Sequence, residues 1–140
     1  MNYSGTERLR ALPGYAKYFV PTQIVTRSKA MAQYTNGFDT YQVFYYSGVV
    51  QLQAVIQVYA AGVFNGRIGF YPDAGPVVPN GEIQPTGVKV PAINYPLSRF
   101  EAVMGMLRFE KPLYIYLDTG TGVGFVGTSQ MEPVGEQEGH

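Results

Sequence analysis

The chain of 140 residues contains no cysteine and no tryptophan, and its single histidine is the last residue, His140. Disulfide staples and thiolate chemistry are therefore excluded, and cysteine usage says nothing about the redox compartment. With no histidine inside the fold, a histidine-based triad or zinc site within it is excluded too. Charge is also scarce. Asp, Glu, Lys and Arg make up 14% of the residues, ten acidic against ten basic, where about a quarter is usual. Such a balance gives no built-in attraction to nucleic acid or to an anionic membrane. It also leaves little repulsion to keep copies of the chain apart, which favours an assembling protein. No apolar run approaches the roughly 20 residues that span a bilayer, and the opening MNYSGTERLR lacks the apolar stretch of a secretory signal. No membrane partner is expected, nor any cofactor or metal.

What the sequence does have is 17 glycines, 10 prolines and 12 tyrosines. That profile suits many short strands joined by tight turns better than surface helices, which need long charged faces. The length suits one domain with a single core. Residues 1–36 are expected to form an extension with a helical turn at Thr6–Leu12 and one strand after Pro21. Residues 37–130 should form the β core, and residues 131–140 a polar, mobile tail.

The clearest pattern lies at Val49–Tyr59. Val50, Leu52, Ala54, Ile56 and Val58 are apolar at even positions, while Gln51, Gln53 and Gln57 are amides at odd positions, with Val55 and Tyr59 between. Alternation of this kind predicts a strand with one face in a core and one polar, uncharged face. Asn36-Gly37 and Asn65-Gly66 read as turns, with Arg67–Tyr71 returning as a strand. Residues 72–96 hold six of the ten prolines and read as an extended loop carrying one short strand at Val88–Ile93. Arg99–Glu110 alternates again, with Val103, Gly105, Leu107 and Phe109 on one side, although Met104 and Met106 blur the other. After Pro112, Leu113, Ile115 and Leu117 face away from Tyr114 and Tyr116, and Gly122–Ser129 supplies a closing strand. About six to eight short strands imply an all-β, antiparallel sandwich or jelly roll. The core would hold Val50, Leu52, Ile56, Val58, Ile68, Leu107, Ile115 and Leu117.

Three motifs invite a chemical reading. Asp118-Thr119-Gly120 follows a hydrophobic strand, as in pepsin-like and retroviral aspartic proteases, which need two aspartates sharing a proton. Only residues 121–140 follow it here, without the flap or the later element of that family. The plainer reading is a turn in which the carboxylate bonds nearby backbone amides. Gly122–Gly127 matches G-x-G-x-x-G, but dinucleotide binding needs a following helix within a βαβ unit, so strand punctuation is the better reading. Asp39, Asp73, Glu82, Glu101, Glu110 and Asp118 are scattered singly, and no spacing selects a hydrolytic pair.

The aromatic run Phe38, Tyr41, Phe44, Tyr45, Tyr46, Ser47, Gly48, the alternating strand after it, the turn Phe64-Asn65-Gly66-Arg67 and the exit Phe70-Tyr71-Pro72 together resemble jelly-roll capsid proteins of picornavirus-like viruses. The resemblance covers residues 38–72 and is one of residue types. It implies a non-enzymatic virion protein that packs against copies of itself or related subunits and is located in the virion. The interface candidates are Gln51, Gln53, Gln57, Tyr59, Tyr114 and Tyr116, since amides and tyrosines can bond a partner without burying charge. The alternative is a β module that binds carbohydrate or a protein through exposed tyrosines.

Overall fold

The computed structural model describes residues 31–48 and 50–135. The helical turn and the strand expected before residue 31 lie outside the described residues, as does the end of the expected tail. Eight strands are described: β1 (Gln33–Phe38), β2 (Thr40–Tyr45), β3 (Ala54–Ala60), β4 (Val63–Tyr71), β5 (Gly81–Ile83), β6 (Val90–Pro96), β7 (Leu113–Asp118) and β8 (Gly124–Thr128). Among the described residues, one 3₁₀ turn, Leu97–Arg99, leads into one α-helix, α1 (Phe100–Phe109). The strands form a three-stranded sheet, β1-β7-β8, and a five-stranded sheet, β2-β3-β4-β6-β5. The fold is mostly β, as the turn-rich composition implies. The expected boundary at residue 36 falls inside β1.

Strand β7 shows how sequence becomes packing. Leu113, Ile115 and Leu117 are buried while Tyr114 and Tyr116 between them are only half-buried, as period-2 geometry requires. Across the ladders, Ile115 stands opposite Asn36 of β1 and Val126 of β8. In the other sheet Ile56, Ile68 and Ile93 form one cross-strand row. These residues, with Phe38, Val58, Phe70 and Leu113, belong to one apolar cluster that both sheets share. Burying each large aliphatic side chain contributes about 1.5–3 kcal/mol.

Two glycines set how closely the sheets approach. A Cβ on Gly124 would lie 2.5 Å from Ile93 Cγ2 and 3.1 Å from the Tyr116 carbonyl oxygen, and one on Gly66 would lie 3.1 Å from Ile115 Cγ2. Polar clasps then tie the sheets at their margins. Asn36 Nδ2 donates to the Asn65 carbonyl (3.1 Å), and Asn65 Nδ2 donates to the Gly37 carbonyl (2.6 Å). Asn65 can do so because it is the extra residue of a bulge: Val58 pairs with Gly66 but Tyr59 pairs with Phe64, which re-aims the intervening side chain. Asn80 accepts from the Asn94 N–H (2.7 Å) and donates to the Gly122 carbonyl (2.9 Å), joining the proline-rich loop to both sheets.

Several expectations need correction. The segment expected as a strand over Arg99–Glu110 is helical over Phe100–Phe109. Phe100, Val103, Met104 and Leu107 recur at i, i+3, i+4 and i+7, the helical stripe; Val103, Met104 and Leu107 are buried, and Phe109 is exposed. Phe100 stacks on Tyr45 (5.4 Å between ring centroids) and meets Phe70 edge-on (5.0 Å). Neither Asn-Gly pair is a turn. Asn36-Gly37 lies within β1 and Asn65-Gly66 within β4, and the β3–β4 hairpin turns at Ala61 (φ 50°) and Gly62 (φ 82°). The positive φ at both central residues gives the turn the twist its strands need.

The amide-lined strand begins at Ala54, so Val50 is exposed rather than in the core. Leu52 lies over Gly69, on the Val55 side of the sheet, opposite to the Ile56 side. The sheet is also not antiparallel throughout. β4 and β6 run parallel, which needs a crossover, and residues 72–89 with β5 provide it. Where one short strand was expected in that region, two form.

If α1 is the helix described, Leu107→Ala should lower stability by about 2–5 kcal/mol, whereas Phe109→Ala should change it by less than about 0.5 kcal/mol. Chemical denaturation of both variants distinguishes this from a strand, in which both side chains would face the core.

Candidate functional site

The six candidate residues fall on two different sheets. On the five-stranded sheet, Gln57 of β3 stands between Gln42 of β2 and Arg67 of β4 in one cross-strand row. The Tyr59 hydroxyl lies 2.8 Å from Gln57 Oε1 and 3.0 Å from Gln42 Oε1, and the Phe64 ring meets Tyr59 edge-on at 5.9 Å. The result is a neutral strip of amides and aromatics with one guanidinium beside it. Arg67 Nε is buried and has no hydrogen-bond partner. Gln53 extends the ladder beyond β3: its N–H donates to the Phe70 carbonyl (2.8 Å) and its carbonyl accepts from Tyr46 (2.9 Å). Gln51 is exposed in the connection before β3. Gln42 and Arg67 were not among the expected residues, because only strand register brings them to Gln57.

On the three-stranded sheet, Tyr114 and Tyr116 project from β7 on the face away from the core. Phe125 of β8 stands opposite Tyr116. Its ring stacks on Tyr116 (4.8 Å, 20° between planes) and meets Tyr114 edge-on (5.9 Å, 73°). Phe125 is 38% exposed, so the three rings form a continuous outward aromatic ladder flanked by Thr35 and Gly127. Alternation around Val126 carries the signal that places Phe125 outward, although it was not among the candidates.

The carboxylate of Asp118 is engaged in its own turn. Its Oδ1 accepts from the N–H of Gly120 (2.8 Å) and of Thr121 (3.4 Å), while Oδ2 accepts from Gln33 Nε2 (3.3 Å). Thr119 Oγ1 accepts from the Ala32 N–H (2.8 Å) and donates to the Ala32 carbonyl (3.1 Å). The Asp-Thr-Gly segment therefore has the geometry of the turn reading, and it ties β7 to the start of β1. The glycines of the G-x-G-x-x-G match punctuate β8, a strand. Among the described residues, no three His, Cys, Asp or Glu side chains gather as metal ligands, and no helix is long and apolar enough to cross a membrane.

Two open grooves meet at one end of the sheets. One, of about 720 Å³, runs past Thr35, Tyr114 and Thr128; the other, of about 600 Å³, runs along the Leu107–Lys111 segment. Phe38, Asp39, Pro112 and Leu113 line both. Asp39 is held there by the Ala61 N–H, 3.3 Å from Oδ1.

Among the described residues, three titratable groups are displaced from their ordinary values. The Ser98 hydroxyl and N–H hydrogen-bond Asp73 and hold its carboxyl below the usual range, which fixes the entry to α1. Burial pushes the Tyr95 hydroxyl up. At the far margin, Tyr34 of β1 donates to Glu82 Oε2 of β5 across 2.6 Å, and that bond to an anion pushes the phenol up to about 12. The native state thus holds the phenol proton more tightly than the unfolded chain, whose tyrosine titrates near about 10. The clasp's contribution to stability should be complete below about pH 10 and lost as pH rises through about 12. Phenolate absorbance should show Tyr34 ionising late in the wild type, and Glu82→Gln should return it toward the ordinary range while leaving Tyr95 raised. Normal titration of Tyr34 in the wild type would contradict the clasp.

No protein-family model, curated protein or solved structure matches the chain, so its own geometry carries the functional reading.

Proposed function

We propose that this domain is a non-enzymatic structural protein that assembles with copies of itself, or with related subunits, through repeated small interfaces. In this reading the two sheets form a sandwich, and the surfaces that meet neighbours are their outer faces. One observation carries it: the Tyr59 hydroxyl joins the Gln42 and Gln57 amides in a strip whose one ion is Arg67, where a merely solvated sheet would carry lysine and glutamate. Such a surface loses little on desolvation, because burying an amide that keeps a hydrogen bond costs far less than burying an ion. Repeated weak contacts hold a closed assembly that no single contact would. A capsid-type role in a virion is the form this reading takes from the resemblance of residues 38–72. The parallel β4–β6 pair makes a mixed sandwich a better description than a strictly antiparallel jelly roll.

The stacked ladder of Tyr114, Tyr116 and Phe125 supports a second reading, a carbohydrate- or protein-binding module, because exposed rings present flat apolar faces to sugars or to partner side chains.

Electron microscopy of the purified chain should show particles or rings. Gln53→Lys combined with Gln57→Lys should abolish them while the circular dichroism of the fold persists, with association weakened at least roughly tenfold, about 1.4 kcal/mol. Full assembly by that double variant would refute the amide face as an interface. A strict monomer that binds oligosaccharide, and loses binding on Tyr116→Ala, would establish the second reading instead.

A further inference from the structure

Among the described residues, strand β2, TYQVFY, is an edge of the five-stranded sheet and pairs only with β3. Exposed edges are ordinarily blunted by lysine, proline or an inward charge. Here nothing blunts it: between Asp39 and Arg67 the sequence contains neither a charged residue nor a proline. The apolar side chains at this edge are also exposed. Val43 is 38%, Phe44 40%, Tyr45 66%, Tyr46 49% and Val50 49% accessible.

The hydrogen-bond phase of the edge is readable. The Tyr46 N–H donates inward to the Gln53 carbonyl, and successive residues of a strand point their backbone groups to opposite sides. Phe44 and Gln42 therefore bond to β3, while Tyr41, Val43 and Tyr45 turn N–H and C=O outward. These three residues are symmetric about Val43.

We propose that β2 pairs antiparallel with the β2 of a second copy of this chain, about a two-fold axis at Val43. Tyr41 then stands opposite the second copy's Tyr45, and Val43 opposite Val43, each pair exchanging its N–H···O bonds. On one face the tyrosines and valines pack across the seam, and on the other Gln42 meets Phe44. The occupant is a second copy because the outward residues match themselves about Val43, valine meeting valine and tyrosine meeting tyrosine, so one uncharged edge serves both partners. A strand without charge also meets itself without like-charge repulsion. A six-residue seam lies at the small end of specific interfaces, so the pairing is weak and concentration-dependent, as a repeated contact in a larger assembly requires. The inference rests on the assembling role proposed above and names one of its contacts.

The test is amide hydrogen exchange on the full chain, read by NMR from micromolar to millimolar concentration. Gln42 and Phe44 should be protected throughout, whereas Tyr41, Val43 and Tyr45 should become at least roughly tenfold slower as concentration rises. Val43→Lys and Val43→Glu each place like charges face to face on the axis, and each alone should lose the concentration-dependent protection. An equimolar mixture of the two should regain it, which a variant that merely folds poorly would not do. If the wild type associates while the Tyr41, Val43 and Tyr45 amides stay open, or if the mixture regains nothing, the β2 seam is wrong and the assembling role stands without it. If the wild type stays monomeric at millimolar concentration, both fall together.

Discussion

The whole arrangement depends on how near the two sheets come to each other. Gly66 and Gly124 leave their positions bare where Ile115 and Ile93 press in, so the row Ile56, Ile68, Ile93 can join the row of Ile115 and Val126 in one core. Dense packing of this kind tolerates neither missing nor added methyl groups. Everything else follows from that contact. The Asn36–Asn65 clasp is possible only because β1 and β4 lie within amide reach. The Tyr34–Glu82 bond closes the same gap at its far margin, and α1 closes the core with its apolar stripe.

Burying one face of each sheet decides what remains outside. On the five-stranded sheet the face opposite the Ile56 row carries Gln42, Gln57 and Tyr59 beside buried Val55 and Ala92, with an arginine whose Nε finds no partner. On the three-stranded sheet the outside is an aromatic ladder. Both are surfaces of low charge, and the chain as a whole is neutral. A monomer that had only to stay dissolved would gain from charge on these faces. In the assembly proposed above, their neutrality lowers the cost of contact.

Much of this was legible in the sequence, and the misreadings have physical causes. Strand β7 was clear because LYIYLD alternates without ambiguity and both faces have a distinct chemistry. The Phe100–Phe109 segment satisfied period 2 at Val103, Leu107 and Phe109 and period 3.6 at Phe100, Val103, Met104 and Leu107; packing against Tyr45 and Phe70 decides for the helix. Asn-Gly is a strong local turn signal, yet both pairs serve long-range contacts: the asparagines clasp two sheets, and Gly66 admits Ile115. No local rule anticipates that use. The parallel pairing of β4 with β6 and the placing of Gln42 and Arg67 beside Gln57 are matters of register between distant segments, which local periodicity does not encode.

The most direct test of the central claim, that these neutral faces exist to bind further copies, is the molar mass of the wild-type chain in solution, measured by sedimentation equilibrium over a wide concentration range. A mass that climbs with concentration beyond the 15.4 kDa of one chain is the expected result. A mass fixed at one chain up to millimolar concentration would contradict the claim.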